Sequence, residues 1–118
     1  MSLAERIRAR YRTEVGRVGE TVTIRRYYGS GSPRAKYEKA ALARVNAYAV
    51  DQLIGSIVQG DQKVILLAED LETGAVTLPL LISDKVVVRG RELQIVSIDA
   101  NTRRVGGTLC AYELQVRG

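Results

Sequence analysis

The sequence has no histidine, no tryptophan and no phenylalanine, and only one cysteine, one methionine and two prolines in 118 residues. Each shortage excludes something. Without histidine the chain lacks the commonest general base and the commonest metal ligand. It also cannot build the Ser-His or Cys-His pairs of nucleophilic catalysis. A metal would need an all-oxygen calcium or magnesium site, and no EF-hand spacing is present. Cys110 has no second cysteine to pair with, which fits a reducing compartment. No stretch approaches the roughly 18 consecutive apolar residues of a membrane-spanning helix. No apolar h-region follows the start, so no signal peptide is expected.

What is present describes a globular chain. Apolar residues make up 46% and charged residues 26%. The length is that of one domain, residues 1–118. A chain of this size buries about two-thirds of its unfolded surface and needs no disulfide to fold. The charge is uneven. Residues 1–44 carry 11 Lys/Arg against 4 Asp/Glu, whereas residues 45–118 carry 7 against 9. The basic excess therefore lies in the N-terminal third. There is no internal repeat, and the only low-complexity stretch is Gly29-Ser30-Gly31-Ser32-Pro33, a loop or hairpin tip.

The first element reads as a helix within residues 1–18. Ser2 and Glu5 have capping-box spacing. Leu3, Ile7, Tyr11 and Val15 recur every four residues and share one face, while arginines fill much of the rest. Gly16 and Gly19 bracket its end, giving about 14 residues.

From residue 20 onward the chain reads as β-rich. Val22 and Ile24 alternate with Thr23 and Arg25 over residues 20–28. Over residues 36–50, Ala41, Ala43, Val45, Ala47 and Ala49 fall on one side. Residues 51–61 read as a connection, 62–68 as a buried strand, and 69–82 as a loop. Strands follow at 84–89 and 92–98 around a Gly90 turn. A turn at 99–102 then leads to a last strand, 107–116, with Cys110, Tyr112, Leu114 and Val116 on one face. The expected architecture is mainly β: a small antiparallel barrel or sandwich of five to seven strands with an N-terminal α-helix.

The acids in reach of chemistry are Asp61, Glu69, Asp70, Glu72 and Asp84. Glu69, Asp70 and Glu72 stand just before Thr73-Gly74 and read as a solvated turn rather than a catalytic pair. Cys110 reads as a buried structural thiol. The glycines at 29 and 31 lack the rest of a dinucleotide loop or P-loop. No catalytic residue and no cofactor are expected.

The basic third is more informative. Arg25, Arg26, Arg34, Lys36 and Lys39 flank the Gly/Ser loop, with Tyr27, Tyr28 and Tyr37 among them. Such a patch can follow a nucleic-acid backbone, with tyrosines to stack on bases. The same charges also suit a solvated sheet edge or a surface for an acidic partner. The stripe of Leu3, Ile7 and Tyr11 either packs on the barrel or docks on a neighbouring subunit.

Three segments carry a family resemblance: 54–66 (IGSIVQGDQKVIL), 84–98 (DKVVVRGRELQIVSI) and 106–118 (GGTLCAYELQVRG). The sequence resembles the neck proteins of tailed bacteriophages, the head-tail joining or head-closure group, over about residues 20–118. The resemblance implies a ring of identical subunits between portal and tail, located in the neck of the virion and in the host cytoplasm during assembly. Its partners would be its own copies, portal or adaptor proteins, tail proteins and the double-stranded DNA passing through, bound without sequence preference. Loop 29–35 would face DNA through the basic residues around it, and loop 69–82 would contact protein through Glu69, Asp70 and Glu72. A tail-completion or tail-terminator protein, or a small OB-like nucleic-acid-binding barrel, stands as the alternative.

Overall fold

Ser2 opens the first helix because its side chain replaces a missing backbone partner. Its Oγ accepts the Glu5 N–H at 3.1 Å. Helix α1 then runs Leu3–Val18 in the computed structural model, which describes residues 2–31, 34–48, 55 and 57–118. The helix passes through Gly16 and ends at Gly19, so it is longer than its periodicity suggested. Gly19 has a steric reason to be glycine. A Cβ there would stand 2.4 Å from the Val15 carbonyl oxygen and 2.5 Å from that of Ala43. The close approach lets the chain turn from the helix directly into the sheet.

Among the described residues eight strands follow: β1 (Glu20–Tyr28), β2 (Ala35–Ala47), β3 (Gln62–Leu67), β4 (Lys85–Val88), β5 (Arg91–Asp99), β6 (Arg104–Val105), β7 (Thr108–Leu109) and β8 (Ala111–Arg117). Six of them close a barrel in the order β1-β2-β3-β8-β5-β4, every pairing antiparallel. Strands β6 and β7 form a separate two-stranded ribbon. The expected mainly-β barrel with an N-terminal helix is what the chain forms.

Alternation fills the barrel. Val22 and Ile24 of β1 face inward with Ala41 and Ala43 of β2, Val64 and Leu66 of β3, Val86 and Val88 of β4, Leu93 and Ile95 of β5, and Leu114 and Val116 of β8. A six-stranded barrel is narrow, so pairs of branched residues and two alanines occupy it. Leu71, Val76 and Leu80, from the loop between β3 and β4, join the same core and cover one end. At about 25 cal/mol per Å² of apolar area, burial of these side chains is the main source of stability.

Two expectations need correction. The last strand is not continuous over 107–116. Gly106 and Gly107 both take positive φ (54° and 84°), the requirement of a two-residue hairpin turn. They fold Thr108–Leu109 back on Arg104–Val105, and the Cys110 N–H closes the ribbon on the Arg103 carbonyl at 2.9 Å. Cys110, buried as expected, is the break before β8 rather than part of it. The strand read over 36–50 spans Ala35–Ala47. Ala49 and Val50 lie outside the described residues, as do 51–54 and 56 of the connection and Ser32 and Pro33 of the first loop.

Candidate nucleic-acid and partner interface

The β1–β2 hairpin is longer than the barrel it belongs to. β1 pairs with β2 from Glu20 to Tyr28, but with β4 only over Thr23–Arg25. β2 meets β3 only from Ala43 onward. Residues 26–31 and 34–37 therefore form a two-stranded arm past the rim. The radius of gyration, 14.5 Å, exceeds the roughly 13.5 Å of an ordinary domain this long, as an extension requires.

The arm carries all five basic candidates on it or at its root, and the structure gives them different surroundings. Arg25 lies between two acids, with Nη2 2.9 Å from Glu38 Oε2 and Nη1 2.9 Å from Glu92 Oε2. Tyr27 donates its hydroxyl to Glu92 as well. That bond, then the one from Arg25, holds the Glu92 carboxyl below its usual range. Arg26 points to the other face and is anchored. Its Nε and Nη2 reach the buried Asp84 carboxylate at 2.7 and 2.8 Å, and the Thr77 and Pro79 carbonyls accept from it at 2.6 and 3.1 Å. Lys39 is half-buried and runs beside Gly74.

Only Arg34 and Lys36 stand at the tip. Arg34 donates to the Gly29 carbonyl at 3.0 Å and lies over the Tyr27 ring, 5.6 Å from its centroid. Lys36 is 4.0 Å from Glu38. On the opposite face Tyr28 and Tyr37 stack, with centroids 4.5 Å apart, and each stays more than two-fifths exposed. The patch thus divides into a structural root, Arg25 and Arg26, and a solvent-facing tip, Arg34 and Lys36 with the tyrosine pair.

The acidic candidates meet the helix. Arg12 pairs with Glu69 at 2.8 Å and with Asp70 at 2.5 Å; Arg8 makes two 2.7 Å bonds to Glu72 and also donates to the Leu109 carbonyl. Asp70 further accepts the Leu42 N–H at 2.8 Å. Hydrogen bonding from Arg8 lowers the Glu72 carboxyl below its usual range. Glu69, Asp70 and Glu72 are thus brought together as a clamp on α1 within one chain. The spacing of Arg8 and Arg12, four residues apart on one helical face, is the sequence signal for this clamp.

The apolar stripe of α1 splits along its length. Val15 is buried, Ile7 and Tyr11 are half-buried, and Leu3 is exposed. Between α1 and the outer barrel wall lies an open groove of about 480 Å³, lined by Tyr11, Val15, Val18, Arg44, Ile65 and Arg103 among others.

Comparison of the chain with protein-family models, with curated proteins and with solved structures found no match.

Two further acids complete the picture. Asp84 anchors Arg26 and accepts the Leu81 N–H at 2.9 Å. Asp61, 3% exposed, accepts from Arg117 at 2.7 and 2.8 Å, from Gln115 at 2.8 Å and from the Val58 N–H at 3.1 Å. Arg117, chiefly, holds the Asp61 carboxyl far below its ordinary range against the opposing effect of burial. Both acids bind loop to sheet, with partners that satisfy their oxygens. Among the described residues no three His, Cys, Asp or Glu side chains converge as a metal site.

Proposed function

We propose that the chain is a structural protein of a tailed-phage neck. Copies form a ring between portal and tail and act in head completion and head-tail joining. The observation that carries this reading is the arm, which extends past a closed barrel and presents Arg34 and Lys36 at its tip. A ring subunit needs a body that keeps its shape and an extension that reaches a neighbour or the lumen. The barrel suits the first role, since closure removes its sheet edges. The arm suits the second. Duplex DNA carries one negative charge per about 1.7 Å of axis, so a surface beside it must not repel phosphate.

The neck reading places the protein in the virion, and in host cytoplasm during assembly. Portal or adaptor and tail proteins are the partners above and below, and passing double-stranded DNA is the contact inside. The exposed end of the α1 stripe, Leu3, suits lateral or axial contact. A tail-completion or tail-terminator role uses the same features one step further from the head.

One observation favours the OB-like alternative: the exposed Tyr28–Tyr37 pair offers a platform on which a single-stranded base could stack. The two readings part in a complementation experiment. Lysates of cells lacking this gene, taken while their heads still hold DNA and containing free tails, are mixed with purified protein. The neck reading expects infectious particles to appear with the wild-type chain, and fewer with Arg34→Ala/Lys36→Ala. No gain with wild-type protein, together with tight single-strand binding lost on Tyr28→Ala, would select the nucleic-acid module.

A further inference from the structure

Among the described residues, one side of the arm pairs with no strand. Leu42 donates its N–H to Asp70, away from β1. Along a strand the direction of the main-chain groups alternates, so those of Ala40, Glu38 and Lys36 also face away from β1. β3 begins to pair only at Ala43. Among the described residues, no other strand covers Lys36 or Glu38 on that side. A free edge of this kind is a template for another strand.

We propose that this edge joins a second copy of the same chain, β2 against β2 in antiparallel register about a twofold axis at Tyr37. The charges select the register. Hydrogen bonding requires outward-facing residues to stand opposite one another, which leaves few alignments. A twofold at residue 36 sets Lys36 against Lys36, and one at 38 sets Glu38 against Glu38, both repulsive. A twofold at 39 sets Lys36 against Leu42, whose N–H already belongs to Asp70. A twofold at 37 sets Lys36 against Glu38 of the second copy, twice.

This register has two further merits. Glu38 holds Arg25 on Oε2 and has its own Lys36 only loosely, at 4.0 Å from Oε1; it is still 37% exposed, which leaves room for the lysine of the second copy. Tyr37 meets its own counterpart across the axis, so the two Tyr28–Tyr37 stacks adjoin and cover their exposed faces. Six residues separate Tyr37 from Ala43, about 20 Å of strand, and the bodies lie at opposite ends of a four-stranded sheet. The pairing describes the free protein and does not depend on the neck reading.

Sedimentation equilibrium of two charge variants tests it. Lys36→Glu places Glu against Glu in its own dimer, and Glu38→Lys places Lys against Lys. Mixed, they restore both opposite pairs. The expected result is concentration-dependent dimer for the wild type, at least tenfold weaker association for each variant alone, and recovery in the equimolar mixture. Failure of the mixture to recover, or wild-type protein that stays at 13.0 kDa throughout, overturns the proposal. Lys36→Pro serves as a second variant, because it removes an N–H that faces away from β1 and leaves the hairpin bonds in place. It should stay folded by circular dichroism and be monomeric. A folded, dimeric Lys36→Pro would also overturn the pairing.

Discussion

Arg26 and Asp84 meet in a fork: Nε to Oδ1 at 2.7 Å and Nη2 to Oδ2 at 2.8 Å, with the carboxylate fully buried and the arginine side chain 18% exposed. The pair ties the root of the arm to the loop before β4. Removing the carboxylate leaves the Arg26 charge with the Thr77 and Pro79 carbonyls alone, and removing Arg26 leaves a fully buried carboxylate without its counter-charge. Asp84→Ala is therefore expected to lower the unfolding free energy by about 3 kcal/mol. Urea denaturation measures it. The double variant with Arg26→Ala should cost less than the two single losses added, because the residues act on one another.

Asp61 predicts how stability changes with acid. Its carboxyl titrates lower in the folded chain than the ordinary 3.8, chiefly because of Arg117. The unfolded chain thus binds the proton more readily. The stability this gives is complete above about pH 4 and is lost as pH falls toward the folded value. Glu72 and Glu92 are lowered too and act in the same direction. Urea midpoints between pH 7 and pH 2 should fall steeply below pH 4. Asp61→Asn should lower the midpoint at pH 7 and flatten that fall.

Helix α1 should be the first element to open. Val15 is its one buried residue, and ion pairs to Glu69, Asp70 and Glu72 supply much of the rest of its attachment. Such exposed pairs contribute about 0.2–1 kcal/mol each and weaken with salt. Hydrogen exchange is expected to be faster in α1 than in β3 and β8, and faster still in 0.5 M salt. Glu72→Lys should accelerate exchange in α1 and leave the barrel strands unchanged.

The tip of the arm carries the DNA-facing claim. Each phosphate contact contributes about 0.9 to the slope of log affinity against log salt for duplex DNA. Arg34→Ala/Lys36→Ala should reduce that slope by up to about 2 if both touch phosphate. Arg26→Ala, which alters the root, should change stability more than the slope. Fluorescence anisotropy with a labelled duplex gives the slopes. An unchanged slope in the tip variant removes these two residues from the DNA surface.

The period-two pattern made the barrel legible. Val22 with Ile24, Ala41 with Ala43, and Leu114 with Val116 all fall on the inner face, where alternation set them. The capped helix was legible from Ser2 and Glu5. What alternation could not carry was the destination of the charges. Arg25 and Arg26 are neighbours in sequence and opposite in face, so one meets Glu38 and Glu92 and the other Asp84. Glu69, Asp70 and Glu72 read as a solvated turn until the helix is laid beside them. Apart from Arg25–Glu38, which face each other across one hairpin, those pairings join residues more than 50 positions apart, and local patterns hold no information about such distances. The break at Cys110 was hidden for a local reason: Gly106-Gly107 was read as the start of a strand rather than as a hairpin turn.

The most direct test of the neck reading is electron microscopy of particles made in cells from which this gene has been deleted. The account predicts heads that fill and then lose their DNA, with finished tails lying free beside them. Filled heads bearing tails of abnormal length would move the protein to tail termination. Normal, infectious particles would contradict the account.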